Sequence, residues 1–137
     1  MHNIKRSLII NGLGYTLSHE WLRVEDGLGI VGITDFKQKI LGRMTFAELD
    51  PNSRERNAFG VVESMKGAME LYLPVRGQII EVNKELKQHP ELLNEDPYGE
   101  GWIIRMELEA SEKSLSRLLS ADQYKAHVYK LRYKRAL

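Results

Sequence analysis

"VVESMKGAMELYLPVRG", residues 61–77, sets a single lysine between two short apolar runs and directly before a glycine. Met69, Leu71 and Leu73 alternate with Glu70 and Tyr72, the period of two that a half-buried strand displays. The run from Ala58 to Ser64 reads as its partner strand, so the stretch is a hairpin with the Lys66 amine at the bend and Gly67 free to take a positive φ there. Taken alone, a lysine at a turn is most often an ordinary surface residue. Set on a stiff bend, it can also serve as a chemical handle.

Working outward, Arg76-Gly77 turns into a further strand, "QIIEVN". Upstream, residues 15–34 predict two strands around Asp26-Gly27, a strong two-residue hairpin signal. Thr34 then offers a helix N-cap before "FKQKIL", with Gly42 as the stop. "MTFAELD" reads as another strand and "PNSRERN" as a polar loop. Residues 84–100 form a long acidic and polar connection with a short helix near Pro90 and a rigid turn at Pro97-Tyr98-Gly99, and "WIIRMELE" closes the sheet system. Ser111 can cap a helix holding Leu115, Leu118 and Leu119, and Ser120 can cap the last one, where Tyr124, Val128 and Leu131 recur at i, i+4 and i+7. Many short strands with terminal helices predict a mostly β fold with α additions: a small sandwich or flattened barrel carrying short helices and a C-terminal helix. The expected division is an N-terminal extension at 1–14, a mobile or edge segment, then a domain at 15–123 and a basic C-terminal helix or tail at 124–137.

At 137 residues, 42% hydrophobic and 28% charged, the chain suits one soluble domain with a single core. Its longest apolar runs fall far short of the roughly 18–20 residues a bilayer span needs, and the N-terminal apolar stretch is too short for a signal-peptide core. A cytoplasmic protein with no membrane partner is expected. With no cysteine, disulfides, thiolate metal sites and a cysteine nucleophile are excluded. The net charge of +1 conceals a tail with Lys125, Lys130, Arg132, Lys134 and Arg135 and no acidic residue. Without base-stacking platforms elsewhere this reads as a solvated helix end, not a nucleic-acid surface. His2, His19, His89 and His127 have no metal-type spacing, and no cysteine or metal-ligand cluster accompanies His19, so all four read as structural or rim residues. Met65 and Met69 read as packing at the edge of the core.

A lysine at a hairpin tip suits a swinging arm: acylation turns an ammonium into a neutral amide and adds a long flexible chain. Biotin carriers place methionine on both sides of that lysine, whereas here Met65 precedes Lys66 and Gly67 follows. "SHEW" at 18–21, "VGITDF" at 31–36, "FGVVESMKGAMELYLPVRGQIIEVN" at 59–83 and "LLNEDPYGEGWI" at 92–103 together, in this order, resemble the H protein family of the glycine cleavage system. The resemblance runs from Tyr15 to about Tyr124. It implies a barrel-sandwich hybrid fold of the lipoyl type, lipoic acid bound by an amide to Lys66, and recognition of Glu63 and Gly77 by an attachment enzyme, a lipoate ligase or lipoyl transferase. It further implies a cleft in which Ser18, Glu20 and Glu70 shelter the loaded arm, a carboxylate pairing with the cationic aminomethyl nitrogen. A non-catalytic carrier is then expected, shuttling an aminomethyl group between glycine decarboxylase, aminomethyltransferase and dihydrolipoyl dehydrogenase.

The chain departs from the family pattern at Glu70, which replaces an aspartate, at Phe36, where histidine or tyrosine is common, and at "AELDPNSRERN", shorter and more basic than the usual loop. Two alternatives follow. One is an H-protein-like lipoate-binding protein carrying sulfur intermediates to a heterodisulfide-reductase-like sulfur-oxidation complex; the other is an unmodified interaction module.

Overall fold

The structure is a computed structural model describing residues 7–53, 58–109 and 115–136, with side chains as far as 132. Eight strands form two antiparallel sheets. Strands β1 (Gly14–Tyr15), β2 (Glu20–Glu25), β3 (Leu28–Ile33), β8 (Ile104–Leu108) and β7 (Gly77–Val82) lie in that order in a five-stranded sheet. β4 (Met44–Leu49), β5 (Gly60–Ser64) and β6 (Gly67–Leu71) make a three-stranded one. Helices α1 (Asp35–Leu41), α2 (Glu85–Gln88), α3 (Leu92–Glu95) and α4 (Ala121–Ala136) complete the fold. This is the mostly β barrel-sandwich with short helices and a C-terminal helix that the sequence leads one to expect.

The β2–β3 hairpin turns at Asp26 and Gly27, both at positive φ (50° and 78°), the pair a twisted two-residue hairpin requires. β3 is the central strand of its sheet, paired with β2 on one side and β8 on the other. It is buried over five of its six residues. Its two faces feed two apolar clusters. Val31 and Ile33 face Leu22, Val62, Leu71 and Met106 between the sheets, while Ile30 joins Trp21, Tyr15, Phe36, Tyr124 and Val128 beneath α1 and α4. Gly32 pairs with Trp21, and a Cβ there would lie 2.6 Å from the indole. The glycine leaves room for a fully buried ring whose Nε1 donates to the carbonyls of Ile33 (3.0 Å) and Pro97 (3.1 Å).

Thr34 caps α1, its Oγ1 accepting from the Lys37 amide, and Gly42 ends it at φ 77°. The connection after β7 is more ordered than its polar composition predicts. In place of one short helix near Pro90 there are two, α2 and α3, meeting at His89-Pro90, because Leu86 and Leu93 each reach the inter-sheet core. The following turn is held by Asp96, whose carbonyl accepts from Gly99 and Gly101 and whose carboxylate accepts from Glu100. Of the helix expected after Ser111, residues 111–114 lie outside those described; Leu115 is helical, but Leu118 lies in a bend and Leu119 instead pairs with Tyr15 through two backbone hydrogen bonds. α4 begins as predicted: the Ser120 hydroxyl accepts from the Gln123 amide, and Gln123 returns the contact to the Ser120 amide, a reciprocal capping box.

Both ends of the described chain pack onto the body. Leu8 donates to Asp35 and accepts from the Tyr98 hydroxyl, and Ile10 exchanges two hydrogen bonds with the Tyr15 hydroxyl. Tyr124 is fully buried and stacks on Tyr15 at 4.5 Å. The sequence boundaries at 14 and 123 therefore fall within one packed cluster.

Burial raises the phenol pKa values of Tyr15, Tyr98 and Tyr124 above their ordinary value near 10; hydrogen bonds from Ile10, Asp35 and Thr34 respectively oppose this and are outweighed. The unfolded chain releases these protons near pH 10 while the folded chain still holds them. Stability from this source is therefore complete below about pH 10 and declines as the pH climbs above it. An ultraviolet titration should show these three phenols ionising late, together with loss of the far-ultraviolet β signal.

Candidate functional site

Ser64 pairs with Gly67, which leaves Met65 and Lys66 as a two-residue loop. Gly67 has φ 138° and open space around its α-carbon, so the bend uses backbone freedom that side-chain-bearing residues lack. The Lys66 amide donates to Ser64 Oγ at 3.1 Å, which stiffens the tip. Below it, Val62, Met69 and Leu71 anchor both strands to the inter-sheet core. Met65 is 87% exposed, which corrects its reading as edge-of-core packing; Met69 does pack partly against the core. The difference is geometric. Met69 faces inward opposite Val62, whereas Met65 occupies the loop itself.

The Lys66 side chain is exposed, and its Nζ donates at 3.0 Å to the Ile40 carbonyl. Ile40 lies in the last turn of α1, where carbonyls lack intrahelical partners and a cation is favoured. At the other end of α1, Thr34 donates its amide to the His19 carbonyl, and Glu20 pairs with Ile33. The seven residues of α1, about 10 Å of axis, thus link the amine to the "SHEW" loop.

Within that loop Ser18 is exposed and Glu20 is 2% exposed. Glu20 Oε1 accepts from Ser18 Oγ (2.6 Å) and Thr16 Oγ1 (2.5 Å), while the Glu20 amide donates to Thr16 Oγ1 (2.9 Å). Ser18 and Glu20 are therefore brought together. Glu70 is not joined to them: it lies exposed on the outer face of β6, and its carboxylate makes no hydrogen bond or ion pair among the described residues. Glu63 shares that outer face, exposed and opposite Phe46 and Ala68. Gly77 opens β7 in the other sheet, where an added Cβ would come within 2.3 Å of the Glu107 carbonyl oxygen. Phe36 is 1% exposed with its ring 5.0 Å from that of His19.

Sequence reasoning missed four contributors. Thr16 holds Glu20, the Ile40 carbonyl receives the amine, and Tyr124 with His127 contacts the "SHEW" loop from α4. The Tyr124 periodicity marked a buried face. Its hydroxyl partners had no sequence signal. Among the described residues no group of three or more His, Asp or Glu could hold a metal ion, and no helix is long and apolar enough to cross a membrane.

An exposed lysine thus stands on a two-residue tip above a mostly β body, beside the last turn of α1. The family model "Glycine cleavage H-protein" matches residues 13–131. The glycine cleavage system H protein of Carboxydothermus hydrogenoformans is 48% identical over 121 residues, covering 86% of this chain and 92% of that one. That of Salinibacter ruber is 50% identical over 115 residues, 82% and 92% of the two chains. The crystal structure of a glycine cleavage system H protein from Mycobacterium marinum superposes with a TM-score of 0.76 at 31% identity, covering 86% of this chain and 97% of that one. The chain belongs to the glycine cleavage H-protein family.

Proposed function

We propose that Lys66 carries lipoic acid in amide linkage and that the protein is a non-catalytic carrier. It would bear an aminomethyl group between glycine decarboxylase, aminomethyltransferase and dihydrolipoyl dehydrogenase. The observation that carries this reading is the placement of the amine: exposed, on a two-residue bend braced by Ser64, beside an exposed Met65 and against one backbone carbonyl. An attachment enzyme can reach it without unfolding anything. The residues present fit the group, because an amide nitrogen keeps one N–H with which to donate to Ile40 once the ammonium charge is gone.

Bound there, lipoic acid would supply a dithiolane–dithiol couple able to take up a one-carbon unit together with two electrons. The protein's own residues supply position and shelter. The hairpin fixes the root of the arm, α1 lies beside it, and Ser18 and Glu20 present a hydroxyl and a nearly buried carboxylate at the far end of α1. Such a carboxylate pairs well with a cationic amine, since a charge-assisted contact gains from partial burial. Partner contacts are transient, because one arm must visit several active sites.

The carrier reading is tested by reconstituted glycine decarboxylation with this protein as the sole carrier. Bicarbonate exchange that depends on the lipoylated protein is expected, and its absence with fully lipoylated material sinks the glycine assignment. Glu63, exposed and without an ion-pair partner among the described residues, serves in this reading as a contact for the attachment enzyme. Glu63→Gln should leave stability within about 0.5 kcal/mol of the parent while slowing lipoylation in a timed ligase assay. Equal rates for the two proteins would remove Glu63 from recognition.

A further inference from the structure

The loop bearing Ser18 and Glu20 is strained, and the strain is held from α4. His19 sits at φ 75°, a region that disfavours residues with a side chain and that persists only where surrounding contacts over-determine it. Those contacts are specific. The His19 ring is 7% exposed, with Nδ1 at 2.8 Å from the Tyr124 hydroxyl. The same hydroxyl lies 2.7 Å from Thr34 Oγ1, the N-cap of α1. One turn further along α4, His127 stacks on His19 at 5.5 Å, and its Nε2 is 3.2 Å from the Leu17 carbonyl. A carbonyl can only accept, so His127 carries its proton on Nε2 toward Leu17.

α4 thus grips the loop on both sides of Ser18, through the Leu17 carbonyl before it and the His19 imidazole after it. Ser18 itself stays exposed, with its hydroxyl committed to the Glu20 carboxylate. The stack of Tyr124 on Tyr15, 4.5 Å apart and 4° from parallel, extends the grip to the strand that leads into the loop.

We propose that Tyr124 and His127 are positioning residues: α4 latches the Ser18–Glu20 loop in the shape that shelters the loaded arm, so protection of the arm from water depends on the C-terminal helix. This rests on the carrier reading given above. The latch acts on the loop and not on attachment, since Lys66 lies at the opposite end of α1 and contacts Ile40.

The test uses the full chain, lipoylated and loaded with the aminomethyl group, as wild type, Tyr124→Phe, His127→Ala and His127→Gln. Tyr124→Phe removes only the bridging hydroxyl, and glutamine at 127 restores a donor toward Leu17. Each variant is measured well below its own unfolding temperature for lipoylation by intact mass, for loss of the aminomethyl group to water, and for amide exchange at residues 17–20. Loss of one such hydrogen bond should speed release about fivefold in Tyr124→Phe and His127→Ala, with faster exchange at 17–20 and full lipoylation. His127→Gln should return toward wild type. Protection in wild type with unchanged release and exchange in the folded variants overturns the latch alone. No protection in lipoylated wild type overturns the shelter reading and the latch with it.

Discussion

Replacing Lys66 by arginine is expected to abolish lipoylation and carrier function while leaving the fold intact. Arginine keeps the charge and can still donate to the Ile40 carbonyl, which lies 3.0 Å from Nζ, but its guanidinium is not acylated by an enzyme that activates a carboxylic acid for an amine. The tip supports no packing that the change could disturb, since Met65, Lys66 and Gly67 are all exposed. Thermal unfolding should therefore match the parent to within about 0.5 kcal/mol. Glycine decarboxylation with the variant as sole carrier should fall to the level seen without carrier. Residual lipoylation of Lys66→Arg would place the arm elsewhere on the chain.

Gly77→Ala is expected to be the most damaging of the conservative changes around the hairpin. The added Cβ would sit 2.3 Å from the Glu107 carbonyl oxygen and 2.5 Å from Met106 Cε. The methionine end can move; the carbonyl belongs to β8, in the ladder that pairs Gly77 with Leu108 and Gln78 with Glu107, and can yield only if the strands part. Overpacking of this kind costs about 1–3 kcal/mol, which lowers the unfolding temperature by several degrees in a domain of this size. Resemblance assigns Gly77 to recognition by the attachment enzyme, and the packing gives the glycine a separate purpose. Lipoylation of the variant at a temperature where it is folded should remain near normal. A folded Gly77→Ala that takes up no lipoyl group would show that the enzyme reads this residue directly.

Local chemistry made much of the fold legible. Asp26-Gly27, the Thr34 cap with its Gly42 stop and the Ser120 cap each state a backbone conformation within a few residues, and the chain adopts each of them; the strand read over Met69 to Leu73 forms two residues earlier, at Gly67–Leu71. The position of Lys66 was legible for the same reason, since it stands at a bend that Gly67 makes possible. What escaped depends on residues far apart in sequence. Leu86 and Leu93 look like isolated leucines in a polar stretch, and only the core they fill explains why α2 and α3 form there. Met65 and Met69 look alike in sequence, yet the closure of the loop exposes one and half-buries the other. The Ile40 carbonyl and the Tyr124 hydroxyl contact partners 26 and 105 residues away, and no local pattern encodes either contact. Glu70 shows the converse: resemblance groups it with Ser18 and Glu20, while its strand register turns it to the outer face beside Glu63.

The most direct measurement is the intact mass of the protein isolated from its own cells, followed by fragmentation across residues 61–77. A chain heavier by one lipoyl group is expected, with the whole increment on Lys66. A mass equal to that of the bare sequence in cells with a working attachment system, or an increment on any other residue, would contradict it.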